Sequence, residues 1–272
     1  MEEGESEGED QGVEEDQGED ESKKVTERML RFEHESRFLR KDSDQRKVME
    51  EVFDRATLVA VEELVHRHQL SDLHGVVAAG KESRVYYGVN PAGSPVAVKI
   101  YLTASMEFKK RMAYIAGDRR FGRLPTGSRE IINLWVQKEF KNLQLAESAG
   151  VRVPKPFGFY RNILVMEFIG KPPSAAPTFL EAEVDGADYK WTVASVSKLY
   201  KRAKLVHADL SEYNLFKWGK ERLIFDMGSA VLTSHPRARE FLQRDLFNVV
   251  RFFKRRGIVV DEVDVLLKRL IG

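Results

Sequence analysis

The chain has 272 residues, 42% apolar and 32% charged, with 16 Phe and no cysteine; this suits a packed core and excludes a disulfide scaffold, a thiolate metal site and a cysteine nucleophile. No apolar run approaches the roughly 18 residues of a membrane span, and the N-terminus is acidic where a signal peptide carries positive charge, so a cytoplasmic location without membrane contact is expected. The net charge of +1 averages two unlike pieces: residues 1–21 hold 12 acids and no Lys or Arg, while the rest sets 44 basic residues against 31 acids, a balance that suits a polyanionic partner.

Residues 1–24 form an acidic tail expected to be disordered, because so few apolar side chains cannot offset the entropy of ordering. Such a run either solubilises the protein or folds back on the basic body and competes with a polyanion. From Asp42 to His68 the residues Val48, Val52, Phe53, Leu58, Val59, Val61, Leu64 and Val65 recur at three- and four-residue steps, which predicts an amphipathic helix pair or one broken helix within 42–74. After Leu73 come Val85-Tyr86-Tyr87 and Val96-Ala97-Val98, punctuated by Gly80 and by Pro91-Ala92-Gly93-Ser94-Pro95, an antiparallel hairpin region. Residues 104–130 are basic and carry Gly117, Gly122, Pro125 and Gly127, which predicts a long loop with some helix.

A helix is expected from Glu130 to Ala149, stopped by Gly150, followed by strands at Pro156–Tyr160 and Asn162–Phe168. The Pro- and Ala-rich stretch Lys171–Pro177 is the expected linker between lobes. Beyond it the pattern predicts a helix ending near Lys204, short strands at Leu205–Val206 and Leu223–Phe225, and a helical C-terminus. Strands early and helices late give an α+β chain of two lobes, 75–170 and 171–272, with a cleft between them.

Four pieces could carry chemistry. Gly80-Lys81-Glu82-Ser83 interrupts the hairpin region, where a glycine lets backbone approach a phosphate; taken alone the signal is weak, since an isolated glycine before a strand is more often a plain turn. Lys99 lies within Val96-Ala97-Val98-Lys99-Ile100, close to the V-A-I-K pattern whose Lys pairs nucleotide phosphates with a helix-borne Glu, although an edge-strand Lys in solvent has the same sequence. His207-Ala208-Asp209-Leu210-Ser211-Glu212-Tyr213-Asn214 matches H-R-D-L-x-x-x-N with Ala in place of Arg, offering a carboxylate for the attacking oxygen and a neutral oxygen for a magnesium ion. Leu223-Ile224-Phe225-Asp226-Met227-Gly228 places Asp226 after an apolar strand, where a carboxylate can reach a metal, though Asp-x-Gly also marks ordinary turns. In this order the pieces point to an ATP-dependent phosphoryl-transfer cleft. Glu139 is the preferred helix Glu, with Glu130 and Glu147 as rivals.

These stretches, with Arg46-Lys47-Val48, Leu73-His74-Gly75-Val76, Trp135-Val136-Gln137-Lys138-Glu139 and Val165-Met166-Glu167-Phe168-Ile169-Gly170, resemble the RIO family of atypical serine/threonine protein kinases, most of all its type-one branch in archaeal form. The resemblance spans roughly residues 44–256. It implies a reduced two-lobed kinase fold, with a small antiparallel sheet lobe and a helical lobe, extra N-terminal helices, and no conventional activation loop. It implies that Asp209, Lys99 and Asp226 carry the reaction. Gly80, Lys81, Glu82, Ser83, Val85, Lys99 and Glu139 would hold the nucleotide, Met166, Glu167 and Ile169 would form the adenine hinge, and Asn214 and Asp226 would hold magnesium, with manganese as a substitute. Ser83-Arg84 stands where the family more usually has Ala-Asn.

Family members act in late maturation of the small ribosomal subunit, and the type-one and type-two branches resemble ATPase switches in which the metal-binding Asp takes phosphate transiently. The implied partners are ATP and a pre-small-subunit particle, with no DNA. Basic clusters at Lys109-Lys110-Arg111, Arg119-Arg120 with Arg123, Lys198–Lys204 and Arg251–Arg256 agree with an RNA-rich partner. An aminoglycoside-type small-molecule phosphotransferase shares the H-x-D…N…D layout but needs an acidic substrate pocket. A non-catalytic assembly factor with ATP as a conformational ligand is the third reading.

Overall fold

The computed structural model describes residues 54–103, 108–122 and 125–272. The acidic tail and the expected helical run before Asp54 lie outside the described residues. The Asp54 carboxylate accepts from the Thr57 amide at 2.9 Å and caps α1 (Arg55–His66). Ala60, Val61, Leu64 and Val65 form its buried stripe.

That stripe packs on a five-stranded antiparallel sheet made of β1 (Asp72–Ala79), β2 (Ser83–Val89), β3 (Pro95–Tyr101), β4 (Pro156–Tyr160) and β5 (Ile163–Glu167), in the order β1-β2-β3-β5-β4. β1 begins at Asp72, before the lobe boundary expected at 75, because Leu73 is buried and Asp72 pairs with Val89. β3 is central, so alternation assigns its side chains to two environments. Val96, Val98 and Ile100 join α1, Tyr86 and Val165 in one core. Tyr101 joins the other core, beneath the opposite face.

Beneath that face runs α3 (Ser128–Ser148), reached through α2 (Phe108–Ile115). It starts before Glu130, since the Ile131 amide already takes the Gly127 carbonyl at 3.1 Å. Ile132, Trp135, Val136, Leu143 and Ala146 enter the larger core, which continues through the helical lobe.

The expected linker 171–177 is instead a small hairpin, β6 (Gly170–Lys171) with β7 (Ser174–Ala175). Gly170 has φ 135°, and a Cβ there would meet the Ser174 carbonyl at 2.5 Å, so only glycine permits this closure. Next, α4 (Gly186–Lys198) opens with a capping box between Asp185 and Asp188. Its α-helical part ends at Lys198; a π-helical turn, Leu199–Ala203, carries the chain to left-handed Lys204, the end expected from sequence.

β8 (Leu205–Val206) pairs with β11 (Val231–Leu232), and β9 (Leu215–Trp218) pairs with β10 (Glu221–Ile224). The strand expected at 223–225 is therefore the second arm of a short hairpin that separates Asn214 from Asp226. The loop before β9 holds residues 207–214, and the turn after β10 holds Asp226. Helices α5 (Ala238–Arg255) and α6 (Val263–Ile271) close the lobe, with Phe241, Leu242, Leu246, Val249 and Phe253 of α5 buried at helical spacing.

Candidate active site

Lys99 projects from the central strand onto α3. Its Nζ lies 2.9 Å and 3.2 Å from the two carboxylate oxygens of Glu139 and 3.0 Å from Oδ1 of Asp226. The Lys99 and Glu139 side chains are 8% and 1% exposed, whereas Asp226 is 45% exposed. Glu139 is thus the structural counter-ion, and Asp226 offers its remaining surface to the cleft. Neither Glu130 nor Glu147 takes this place. The Tyr101 hydroxyl also donates to Glu139. Burial alone lowers the Lys99 pKa, but Asp226, Glu139 and Tyr101 outweigh it and hold the group well above the ordinary lysine value, so the ammonium persists at all physiological pH. Burial, reinforced by Glu139, lifts Tyr101 well above the ordinary phenol value.

The loop 207–214 is tied down from two sides. The Asp245 carboxylate, buried on α5, accepts the amides of Ala208 at 2.7 Å and Leu210 at 2.9 Å. Asp209 between them is exposed, and Ala208 holds φ 65°. The Arg244 guanidinium donates to the Ala208 carbonyl, and Asn248 donates to that of Leu210 at 3.1 Å. Burial pushes the Asp245 carboxyl up to about 6, against the pull of His207, the two amides and Arg244. Asn214 Nδ2 donates to the Asp209 carbonyl at 2.8 Å, which leaves its amide oxygen as the acceptor end.

The residue before Asp226 joins this loop. The Phe225 amide donates to the Asn214 carbonyl at 3.0 Å, and the Phe225 carbonyl accepts from His207 Nε2 at 3.0 Å. Asp226 itself is left-handed, with φ 57° and ψ 61°. Asp209, Asn214 and Asp226 are therefore parts of one hydrogen-bonded unit, and Lys99 reaches that unit across the cleft.

The remaining candidates divide. Gly80 and Lys81 are exposed in the β1–β2 turn, closed by the Gly80 amide on the Ser83 carbonyl at 2.9 Å. The Glu82 carbonyl accepts from the Leu102 amide at 2.9 Å. Arg84 donates to the Gly80 carbonyl, bracing the turn from the position where the family more usually has Asn. Val85 pairs directly with Lys99. Met166 pairs with Ala97. The Glu167 carboxylate is turned aside into a bidentate pair with Arg152 at 2.6 and 2.7 Å, and burial notwithstanding, Arg152 holds its pKa below the usual range. The Ile169 carbonyl is taken by Ala176 at 2.8 Å. In this segment backbone groups, not the Glu167 side chain, are what could face a base.

Sequence reasoning missed Asp245 and Tyr101. Both had a signal: an acid on the apolar stripe of a helix between Phe241, Leu242 and Leu246, and a Tyr two residues beyond Lys99 on the same strand face.

A RIO domain matches residues 84–266. The chain belongs to the RIO family. The RIO-type serine/threonine-protein kinase Rio1 of Haloferax volcanii is 40% identical over 261 residues, covering 96% of this chain and 90% of its own length. The Methanocaldococcus jannaschii protein of the same name is 36% identical, covering 86% of this chain and 80% of its own. The human serine/threonine-protein kinase RIO1 is 33% identical over 90% of this chain, which spans only 44% of the human protein. This RIO domain is a Rio1-type serine/threonine kinase, an ATP-dependent phosphotransferase. The fold agrees: the Rio2 kinase of Chaetomium thermophilum, solved as an ADP/Mg2+-phosphoaspartate complex, superposes with a TM-score of 0.60 at 20% identity, over 78% of this chain and 65% of that one. Among the described residues no helix is long and apolar enough to cross a membrane.

Proposed function

We propose that the cleft binds ATP with magnesium and passes its γ-phosphoryl group to an oxygen held at Asp209. The observation that carries this reading is the Lys99 ammonium shared at 2.9 and 3.0 Å between buried Glu139 and half-exposed Asp226. That arrangement leaves a fixed cation beside a half-exposed carboxylate, which suits a phosphate chain with its counter-ion. The turn Gly80-Lys81-Glu82-Ser83 covers the phosphates. Val85, Met166 and the backbone of Glu167 to Ile169 flank the base, and Glu139 orients Lys99. Asp209 orients the attacking oxygen and accepts its proton.

Asn214 and Asp226 would hold the metal, and their donor set fits it: one amide oxygen and one carboxylate are hard ligands. Among the described residues no three His, Asp or Glu side chains gather into a metal cage, which suits an ion completed by phosphate oxygens and water. When bound, magnesium, or manganese in its place, neutralises charge on the transferring group.

On this reading Asp226 also takes the phosphoryl group transiently, with the bond to the ADP oxygen breaking as the carboxylate–phosphorus bond forms; water then releases phosphate. The Chaetomium Rio2 complex contains a phosphoaspartate. The protein would thus work as an ATPase switch on a pre-small-subunit ribosomal particle in the cytoplasm, a role that the basic body supports. Incubation with magnesium and γ-labelled ATP, followed by a hydroxylamine-lability test, decides between outcomes. Labile label absent from Asp226→Ala supports the switch; stable label on Ser or Thr, lost in Asp209→Ala, gives a conventional kinase and rejects it.

A further inference from the structure

Two polar side chains of α3 face neither solvent nor Lys99. Lys138 is fully buried, and its Nζ donates to the Gly228 carbonyl at 2.8 Å and to the Ala230 carbonyl. Asn142, one turn along and equally buried, donates from Nδ2 to the Met227 carbonyl at 2.8 Å and the Ala230 carbonyl at 2.9 Å. Three carbonyls of the short turn that follows Asp226 therefore end on this helix. Arg120 Nη1 donates to Asn142 Oδ1 at 2.8 Å, which fixes the amide with its N–H groups toward the turn. Arg120 is held in turn by Asp118 at 2.7 Å. Burial opposes ionisation of Asp118, but Arg120, helped by the Lys138 charge, keeps its pKa below the usual carboxylate range.

Why the turn needs holding follows from its backbone. Asp226 is left-handed although it carries a Cβ, a conformation that persists only where the surroundings over-determine it. The turn also abuts the helix: a Cβ on Gly228 would lie 2.8 Å from Trp135 Nε1. A buried ammonium can satisfy two carbonyls at once, whereas a hydrocarbon would leave them orphaned in a dry pocket.

We propose that Lys138 and Asn142 are positioning residues for phosphoryl transfer, holding the carbonyls of Met227, Gly228 and Ala230 so that the Asp226 carboxylate stays aimed at Lys99 and at the nucleotide's metal. The inference rests on the reading of Asp226 as a metal-holding carboxylate. Because Glu139 directly follows Lys138, one helix then sets the positions of Lys99 and Asp226 together.

The test compares Lys138→Met, Asn142→Ala and Gly228→Ala with the wild type and with Asp226→Asn. It reads melting temperature, affinity for a fluorescent ATP analogue with and without magnesium, and the magnesium concentration giving half-maximal single turnover. The expected result is metal-free nucleotide affinity within about twofold of wild type. The magnesium requirement should rise about 10- to 100-fold, as for loss of groups that orient a ligand from behind, with excess magnesium restoring turnover. Gly228→Ala pushes the turn off Trp135 from the other side, so the test stands even if Lys138→Met does not fold. An unchanged magnesium requirement in the folded variants, with a raised one in Asp226→Asn, overturns the positioning role alone. An unchanged requirement in Asp226→Asn overturns the reading of Asp226 itself.

Discussion

Lys99 is where burial and charge meet most directly. Removing one partner of a buried ion pair leaves the other uncompensated, at about 3–5 kcal/mol, and here the stranded group is Glu139, only 1% exposed. Lys99→Ala should therefore lower the melting temperature and weaken ATP binding about 10- to 100-fold, both readable by calorimetry; unchanged affinity would remove Lys99 from the phosphate site. Asp245 gives a pH signature. Its pKa, raised by burial to about 6, exceeds the unfolded value, so its contribution to stability is fully present below about pH 4 and lost as pH rises through about 6, roughly 3 kcal/mol in all. Activity runs the other way, because protonation makes one of the two oxygens that accept the Ala208 and Leu210 amides a hydroxyl and removes the charge that strengthens both bonds. Turnover should fall on acidification through about pH 6, and Asp245→Asn should be slow with no such inflection. At this scale the sequence named Lys99, Asp209, Asn214 and Asp226 because their spacing is rigid along the chain. Lys138 and Asn142 are opaque in the sequence because their roles depend on partners 85 to 92 residues away.

Elements succeed or fail as predictions according to how much local pattern they carry. α3 was legible from its apolar spacing, and the sheet strands from β-branched runs between turn residues. β9 is only four residues long, too short for its Phe216-Lys217-Trp218 alternation to bound it; its pairing is secured from outside, by the stack of Phe216 on Phe225 with ring centroids 3.8 Å apart and by Lys217 on Asp188 at 2.9 Å. The hairpin at 170–175 has the sequence of a linker because proline masks so short a ladder. Asn162 shows how elements are joined. Its Nδ2 donates to Thr57 Oγ1 of α1 at 3.0 Å and to the Tyr101 carbonyl at the end of β3 at 2.9 Å. Asn162→Ala should destabilise the fold by about 1–3 kcal/mol through the orphaned buried acceptors, measured as a lower denaturation midpoint with unchanged slope. A midpoint equal to wild type would show that the tie does not hold α1 to the sheet.

Over the whole molecule, the sheet presents one face to α1 and the other to α3, so the reactive strand is held between two cores. The two-lobed α+β organisation was legible in the order of elements, while the joining of residues 207–214 to Asp226 through Phe225 was not, being a product of chain crossing. Charge is partitioned as well, with 12 acids in residues 1–21 against a basic remainder. If that segment competes with RNA for the basic body, its deletion should tighten RNA binding at low salt, and the gain should vanish as the Debye length falls to about 3 Å near 1 M salt; equal binding with and without the segment would assign it to solubility.

Asp209 acts in transfer and not in nucleotide binding on the proposed mechanism. The direct measurement is paired: ATP affinity by calorimetry and single-turnover release or transfer of the γ-phosphoryl group, for wild type and Asp209→Ala. The expected result is affinity within about threefold of wild type and transfer reduced by about three orders of magnitude or more, roughly 4 kcal/mol of transition-state stabilisation. Equal losses of affinity and transfer, or transfer that survives, would contradict it.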